Sequence, residues 1–329
     1  MKVTVVGDGG FGTAIALVLL EKQQDVTIWG RNPDYVAELK ARRENVRYLK
    51  GVKLPKALKL TADPEEALAG AAVVVNAVPT QFVREIFGRV GAHVPARAQL
   101  LSLSKGIEVG TLLRPSQILF ELLPKRAVAV LSGPSHAEEV ARRFPASVVV
   151  AARSHPLARK FQNALATSRF RVYTNVDPAG VELAGALKNV VAIAAGVCDG
   201  LGFGDNAKAA LVTRGLVEIA RLAQKLGARR TTFSGLAGMG DLVTTAFSRH
   251  GRNRAVGEQL GKGRKLAEIL GRMQMVAEGV ETTRSVLALA RRHRVDMPIA
   301  REVHEILFED KSPLDALGSL MTRSIKTEL

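Results

Sequence analysis

The chain has 329 residues, a length typical of two domains. Hydrophobic residues make up 47% of it, which excludes a disordered chain, and the single cysteine, Cys198, excludes internal disulfides and thiolate metal clusters. The net charge of +16 favours anionic partners, but the basic residues are scattered and only 5% of residues are aromatic. We therefore interpret the charge as a solvated basic surface and expect no nucleic-acid partner.

The first element is a β-branched run at residues 2–6, and glycines with the spacing G-x-G-x-x-G follow it directly. An apolar, helix-forming stretch comes next, at 13–20. In such a turn the first glycine, Gly7, permits the sharp bend, Gly9 lets the backbone approach a pyrophosphate, and Gly12 lets the helix pack on the strand. The phosphates lie at the helix N-terminus. Strand, turn and helix in this order predict a dinucleotide site.

Short β-rich runs alternate with helical stretches up to about residue 177. After the first run, strands are predicted at 26–29, 72–78, 100–103, 127–131, 147–151 and 170–173. Continuous apolar strands separated by helices predict a parallel sheet that is covered on both faces. Residues 1–177 are therefore predicted to form an α/β Rossmann-type domain that binds NAD(P).

The strand pattern stops after Asp177-Pro178. Alanine- and leucine-rich segments follow, at 179–198, 206–227, 253–261, 281–293 and 298–308. This pattern predicts an all-helical domain over 178–329. Two glycine-rich stretches in this part, at 200–206 and 235–241, are predicted to be loops. Asp205 or Asn206 is expected to cap the helix after the first of them.

The longest apolar segment, at 181–198, contains Glu182, Lys188 and Asn189, so we expect a buried helix rather than a membrane span. Because the first predicted strand begins at residue 2, we expect no signal peptide. Together with the single cysteine, these features predict a cytoplasmic protein without stable membrane insertion.

Arg31 follows the second predicted strand, at the place where NAD-preferring sites usually have an acidic residue that holds the ribose hydroxyls. An arginine there can pair with a 2′-phosphate and stack on adenine, and the alternative is an exposed turn arginine. Lys105 follows the strand at 100–103, from where it can reach a phosphate or a reacting oxygen. A surface loop lysine is the alternative. Residues 132–136 follow another strand in the same way and could line a substrate pocket.

Lys188 interrupts an otherwise apolar helix. A buried lysine is costly without a partner and can have a lowered pKa, which suits acid–base catalysis. The alternative is a lysine that extends to water. Asp241, after a glycine-rich stretch, could orient an active lysine, and residues 252–254 form a donor cluster that suits a phosphate or a basic helix start. The six histidines lack zinc-ligand spacing, so no metal is expected.

Several segments resemble NAD(P)-dependent glycerol-3-phosphate dehydrogenase of the bacterial type. They occur in the order found in that family, over nearly the whole chain: GDGGFGTAIA at 7–16, SLSKGIE at 102–108, LSGPSHAEEV at 131–140, ELAGALKNVVAIAAGVCDGLGFGDNAKAALVTRGL at 182–216, TFSGLAGMGDLVTT at 232–245, RNR at 252–254 and EGVETT at 278–283. The resemblance implies a Rossmann-type domain followed by a helical substrate-binding and catalytic domain over 178–329. This second domain would be like the C-terminal domain of 6-phosphogluconate dehydrogenase, with the active site between the two domains.

The resemblance also implies roles for individual residues. Lys188 matches the catalytic lysine of the family. The implied substrate-binding residues are Lys105, Gly133, Ser135, Lys188, Asp241, Gly251, Arg252 and Asn253. The implied cofactor-binding residues, with those of the glycine turn, are Gly7, Gly9, Gly10, Phe11, Gly12, Arg31, Lys105, Ala137, Arg252, Val276 and Glu278. Two positions depart from the family: glycine stands at 251, where many members have serine, and Gly10-Phe11 replaces a serine-aromatic pair.

The implied reaction is reversible hydride transfer between NADH or NADPH and dihydroxyacetone phosphate, which gives sn-glycerol 3-phosphate for glycerophospholipid synthesis. Lys188 would protonate the developing alkoxide in reduction and act as the neutral base in oxidation. A homodimer is compatible with the resemblance. Two alternatives remain open: a related two-domain dehydrogenase of the hydroxyacid or 6-phosphogluconate type, and a non-enzymatic regulator that binds nicotinamide cofactors.

Overall fold

An eight-stranded sheet forms the N-terminal half of the computed structural model, which describes residues 1–325 and 327. The strands are β1 (Lys2–Val6), β2 (Asp25–Trp29), β3 (Lys59–Thr61), β4 (Val73–Asn76), β5 (Gln99–Ser102), β6 (Val128–Ser132), β7 (Ala146–Ala151) and β8 (Phe170–Asn175). Their order in the sheet is β3-β2-β1-β4-β5-β6-β7-β8. The order reverses direction at β1, and a crevice for ligands forms at such a point, outside the carboxyl ends of the strands.

The predicted parallel sheet is confirmed, with two differences. The pair β6 and β7 is antiparallel. The link between them holds a helix of only five residues, Ala137–Ala141, which spans about 7 Å and does not carry the chain back to the start of the sheet. Strand β3 was not predicted, because it is an edge strand of only three residues.

Seven helices accompany the described strands and cover both faces of the sheet. They are α1 (Gly10–Glu21), α2 (Pro33–Arg42), α3 (Pro64–Leu68), α4 (Val83–Val90), α5 (Pro115–Leu122), α6 (Ala137–Ala141) and α7 (His155–Leu165). Short 3₁₀ turns occupy Thr80–Phe82 and Gly91–His93. Helix α1 starts at the glycine turn after β1, so its N-terminus lies at the carboxyl end of the sheet.

The C-terminal half is helical throughout the part of it that the structure describes. Its helices are α8 (Pro178–Gly200), α9 (Asp205–Lys225), α10 (Arg230–Phe233), α11 (Asp241–Phe247), α12 (Arg252–Gly261), α13 (Leu266–Gly271), α14 (Glu278–His293), α15 (Pro298–Phe308) and α16 (Pro313–Met321). Helix α8 is the axis of this half and is buried from Gly180 to Val197. By length and composition α8 could cross a membrane, but 94% of its apolar window is buried inside the structure, as in the core helix of a soluble protein.

Two predictions about the glycine-rich stretches were wrong. The stretch at 235–240 is not a loop, because Leu236–Gly240 forms a π-helical turn that leads into α11. Neither Asp205 nor Asn206 caps α9, because Gly204 is the N-cap and no side chain caps it. Asp205 is the first residue of the helix instead, where a negative charge near the N-terminus is favourable.

Helices α8 and α12 approach closely because glycines line the contact between them. An ideal Cβ atom at Gly196 would lie 1.9 Å from the carbonyl oxygen of Arg254, and one at Gly257 would lie 1.9 Å from a backbone oxygen of α8. Gly200 and Gly261 repeat the arrangement one turn later. The two helices therefore pack backbone against backbone, which fixes the first residues of α12 beside the middle of α8.

Candidate active site

A cleft of about 510 Å³ lies between the carboxyl end of the sheet and the helices of the C-terminal half. It brings together most of the sequence-predicted site residues from both halves: Gly7, Gly9, Gly10, Phe11, Gly12, Arg31, Lys105, Ser135, Ala137, Lys188, Asp241, Gly251, Arg252, Asn253, Val276 and Glu278. Gly133 is the exception and does not line the cleft. Its carbonyl oxygen accepts hydrogen bonds from Lys105 Nζ at 3.2 Å and from Ser135 Oγ at 2.9 Å. Gly133 therefore holds two side chains that line the cleft.

The glycine turn leaves room for a phosphate group at the N-terminus of α1. Gly7 has a φ of +115°, and an ideal Cβ on Gly12 would lie 2.6 Å from the carbonyl oxygen of Gly7. An ideal Cβ on Gly9, by contrast, meets nothing within 4 Å. Gly9 is also the N-cap of α1, and no side chain caps that helix. The first backbone N–H groups of α1 therefore face an open space, which fits the pyrophosphate of a dinucleotide.

Both departures from the family pattern have a steric consequence in this chain. An ideal Cβ on Gly10 would lie 2.5 Å from the carbonyl oxygen of Tyr48. An ideal Cβ on Gly251 would lie 2.8 Å from the carbonyl oxygen of Thr245. Contacts this short require the backbone to move, so glycine suits both positions as this chain folds.

Asp241 holds two lysines at the centre of the cleft. Lys188 Nζ lies 2.7 Å from its Oδ1, and Lys105 Nζ lies 2.7 Å from its Oδ2. Ser132 Oγ also donates to Oδ2, at 3.2 Å. Lys105 comes from the loop after β5, whereas Lys188 comes from α8, so a single carboxylate joins the two halves of the molecule.

Lys188 is 4% exposed, and its burial governs its protonation. Burial lowers the pKa of Lys188 to about 8, while Asp241 acts in the opposite direction and the positive charge of Lys105 lowers it further. Burial alone would raise the pKa of Asp241, but the charges of the two lysines and their hydrogen bonds hold it below its ordinary value. The carboxylate thus stays ionised, and Lys188 can exchange a proton near neutral pH.

Arg252 and Asn253 lie at the start of α12, on the C-terminal side of the cleft. Arg252 is exposed, and one of its guanidinium nitrogens donates to the carbonyl oxygen of Val276 at 2.9 Å. Asn253 is buried, and its Oδ1 accepts from the backbone N–H of Gly279 at 3.0 Å, which leaves Nδ2 as its donor. Glu278 accepts from the backbone N–H of Thr80 at 2.8 Å and so links the two halves at the edge of the cleft.

One donor of the predicted cluster at 252–254 points elsewhere. Arg254 forms an ion pair with Asp199 and another with Glu258, at 3.2 Å, so it stabilises the packing of α12 instead of facing the cleft. The side chain sits on the other side of the helix because residues two apart do not share a helix face.

Two further residues hold the lysines in place, and the sequence analysis assigned a site role to neither. Thr245 accepts a hydrogen bond from Lys188 Nζ and donates to the backbone carbonyl of Asp241 at 2.6 Å. Its position four residues after Asp241 on one helix was the available signal. Asn189 Nδ2 donates to the carbonyl oxygen of Lys105 at 3.0 Å, so the residue beside Lys188 fixes the loop that carries the second lysine.

Arg31 follows β2 and lines the cleft. It is exposed, and its guanidinium is 3.5 Å from a carboxylate oxygen of Glu85 on α4. The pairing is weak because both side chains are solvated. Arg31 can therefore turn toward a bound nucleotide.

Comparison with known proteins places nearly the whole chain in one family. A family model described as the N-terminus of NAD-dependent glycerol-3-phosphate dehydrogenase matches residues 2–158, and the corresponding C-terminus model matches 177–318. The chain belongs to this family. A protein of Chlorobium phaeobacteroides (strain BS1) named glycerol-3-phosphate dehydrogenase [NAD(P)+] is 49% identical over 100% of this chain and 99% of its own length.

Other members of the family are similar over the same length. A protein of the same name from Bacillus pumilus (strain SAFR-032) is 47% identical over 99% of this chain and 95% of its own. The crystal structure of glycerol-3-phosphate dehydrogenase from Coxiella burnetii is 38% identical and superposes with a TM-score of 0.94, covering 98% of this chain and 99% of that one. The Rossmann-type sheet followed by a helical domain is thus the fold of the glycerol-3-phosphate dehydrogenase family.

Proposed function

We propose that this chain catalyses reversible hydride transfer between NADH or NADPH and dihydroxyacetone phosphate, giving sn-glycerol 3-phosphate. The observation that carries the proposal is the buried pair of Lys188 and Asp241, which faces the glycine turn across a single cleft. Family membership and the relatives' names support the substrate. When bound, the nicotinamide cofactor would supply or accept the hydride.

The glycine turn would hold the pyrophosphate by the backbone N–H groups at the start of α1. Phe11, Ala137, Val276 and Glu278 line the same cleft as this turn and Lys188, and they are proposed as further cofactor contacts. In this arrangement the residues of the cleft would hold the cofactor between the two halves, and Lys188 would lie close to the central carbon of the substrate.

Lys188 is proposed to move the single proton of the reaction. In reduction its ammonium group donates a proton to the carbonyl oxygen on the central carbon as that oxygen gains negative charge. In oxidation the neutral amine takes the proton from the hydroxyl group. Asp241 orients the amine and offsets its charge, and the pKa of about 8 lets both forms be populated near neutral pH.

The substrate phosphate is proposed to bind cationic and amide groups close to Lys188 and Asp241. Lys105, Arg252 and Asn253 supply donors from two sides of the cleft, and Gly133, Ser135 and Gly251 shape the backbone between them. A phosphate dianion favours such a set, because charge-assisted hydrogen bonds are about twice as strong as neutral ones.

We also propose a separate role for each half of the chain. Residues 1–177 would form the NAD(P)-binding domain and 178–329 the substrate and catalytic domain, with the boundary between β8, which ends at Asn175, and α8, which begins at Pro178. We further propose a cytoplasmic enzyme that supplies glycerophospholipid synthesis. A homodimer is proposed from the family resemblance alone, and light scattering of the purified protein tests it.

Oxidation of NADH and NADPH in the presence of dihydroxyacetone phosphate tests the function directly. We expect turnover with this substrate and little with 6-phosphogluconate or 2-hydroxy acids in the reverse direction. Turnover of those acids instead would support the related two-domain dehydrogenases. Cofactor binding without turnover of any substrate would support a regulator.

A further inference from the structure

The end of β2 lacks the acidic side chain that usually binds the adenosine ribose. Trp29, Gly30 and Arg31 occupy the place, about 20 residues past the last glycine of the turn, where an Asp or Glu commonly accepts hydrogen bonds from the ribose hydroxyls. By sequence position, therefore, nothing in this stretch opposes a 2′-phosphate.

An acidic group nevertheless lies at this point in space, and another element supplies it. Asp8 follows the first glycine of the turn after β1, and it lines the cleft together with Trp29 and Arg31. An ideal Cβ atom on Gly30 would lie 2.5 Å from Asp8 Oδ2. The carboxylate of Asp8 thus fills the space where a side chain at position 30 would begin.

The neighbouring charges fit a site for a ribose that carries either a hydroxyl or a phosphate group. Burial raises the pKa of Asp8 above its ordinary value, while its own backbone N–H and the charges of Arg47 and Arg31 act in the opposite direction. Arg31 also forms an ion pair with Glu85. The guanidinium group of Arg47 stacks on the ring of Tyr35, 4.6 Å from the ring centroid. Within the described residues the Asp8 carboxylate forms no ion pair, so it can still accept a hydrogen bond.

We propose that Asp8 is a cofactor-specificity residue, whose carboxylate accepts a hydrogen bond from the 2′-hydroxyl of the adenosine ribose and repels a 2′-phosphate in the same place. Asp8 and Arg31 then act against each other: the carboxylate favours NADH and the guanidinium favours NADPH. The inference rests on the proposed function only in requiring that the cleft binds NAD(P).

The single tryptophan of the chain provides a binding measurement that does not depend on turnover. Trp29 lines the cleft, so bound NADH or NADPH should quench its fluorescence, and titration gives a dissociation constant for each. We expect Asp8→Asn, which keeps the shape and removes the charge, to lower the ratio of the NADPH to the NADH dissociation constant about tenfold, or about 1.4 kcal/mol. Asp8→Ala should also weaken NADH several-fold, because it removes the acceptor as well.

Asp34→Asn is the matched control, because it removes the same charge from an exposed position on α2 that does not line the cleft. The ratio of the NADPH to the NADH dissociation constant of this variant should equal that of the wild type. An unchanged ratio in both Asp8 variants, with normal thermal unfolding and normal turnover of dihydroxyacetone phosphate, would overturn the role of Asp8 and leave the proposed function intact. Failure of the wild type to bind either nucleotide would overturn both.

Discussion

The part of the cleft at the glycine turn is built from backbone, whereas the part at Lys188 and Asp241 is built from buried charge. At the glycine turn, Gly9 presents open space and the first N–H groups of α1. At the other part, Lys188 and Asp241 are both nearly inaccessible to solvent, and each is held by hydrogen bonds to side chains. The first part should therefore be sensitive to atoms that are added, and the second to atoms that are removed.

The largest effect is expected at Lys188. Lys188→Met keeps most of the side-chain length but removes the proton, so kcat for dihydroxyacetone phosphate should fall about 10²- to 10⁴-fold. The affinity for NADH, measured by quenching of Trp29, should change little. A variant that keeps more than about a tenth of wild-type kcat would show that Lys188 is not the proton donor.

The pH dependence of the wild type sharpens the same point. Reduction needs the ammonium form of Lys188, so kcat/KM for dihydroxyacetone phosphate should decline as pH rises through about 8. Oxidation needs the neutral amine, so kcat/KM for sn-glycerol 3-phosphate should rise over the same interval. A flat profile in both directions, with chemistry limiting the rate, would contradict the assignment.

Arg252 should show a smaller loss, which falls mainly on the use of the phosphorylated substrate. Arg252→Ala removes a charged donor, which is worth about 1.5–3 kcal/mol, so kcat/KM for dihydroxyacetone phosphate should fall by about 10- to 150-fold. Unphosphorylated dihydroxyacetone should be a poor substrate and nearly indifferent to the change. Arg249→Ala is the control, since Arg249 is exposed on the same segment but does not line the cleft. Equal losses for both substrates would show that Arg252 does not bind the phosphate.

Gly9 tests the opposite sensitivity. Gly9→Ala places a methyl group in space that is open in the protein itself, so the thermal unfolding temperature should hardly change. Overlap with a bound pyrophosphate should weaken NADH and NADPH alike by about 1–3 kcal/mol, or about 5- to 150-fold. Gly88→Ala, also at a site with nothing within 4 Å, should leave both affinities unchanged. Wild-type affinity in the Gly9 variant would remove the pyrophosphate from this turn.

Arg31 gives the smallest expected change, because it is solvated. Arg31→Asp should lower kcat/KM for NADPH relative to NADH by a few-fold to tenfold, as it removes a phosphate partner and adds a like charge. This shift is opposite in sign to the one expected for Asp8→Asn. A constant ratio of the two cofactors would place Arg31 outside the adenine-ribose pocket.

Sequence patterns predicted those strands and helices whose hydrophobic residues follow one regular pattern along the whole element. The run at 72–78 was identified as a central strand, and the helix around Lys188 was placed within two residues of its observed ends, 178 and 200. The π-helical turn before Asp241 was missed because glycines at 235, 238 and 240 carry no hydrophobic period. The reversal at β7 depends on the length of a link, which apolar runs do not reveal.

The site was predictable as a set of residues but not as a set of contacts. Lys188 was marked by its charge in an apolar helix, and Asp241 by its place after a glycine-rich stretch. That Asp241 shares its two oxygens between lysines from different halves depends on how α8 packs against the sheet. Arg254 carried the same signal as Arg252, and only its pairing with Asp199 separates the two.

The glycine contact between α8 and α12 has a consequence for how such an enzyme can change over generations. Contacts between side chains can be retuned by small substitutions, because neighbours repack around them. At Gly196 and Gly257 the backbones of the two helices are in direct contact. No side chain lies between them there, so a nearby mutation has no rotamer to shift. The spacing between Lys188 and the residues that begin α12 is therefore inherited as one unit. Selection for a longer or shorter phosphorylated substrate has to act on the loops around the cleft.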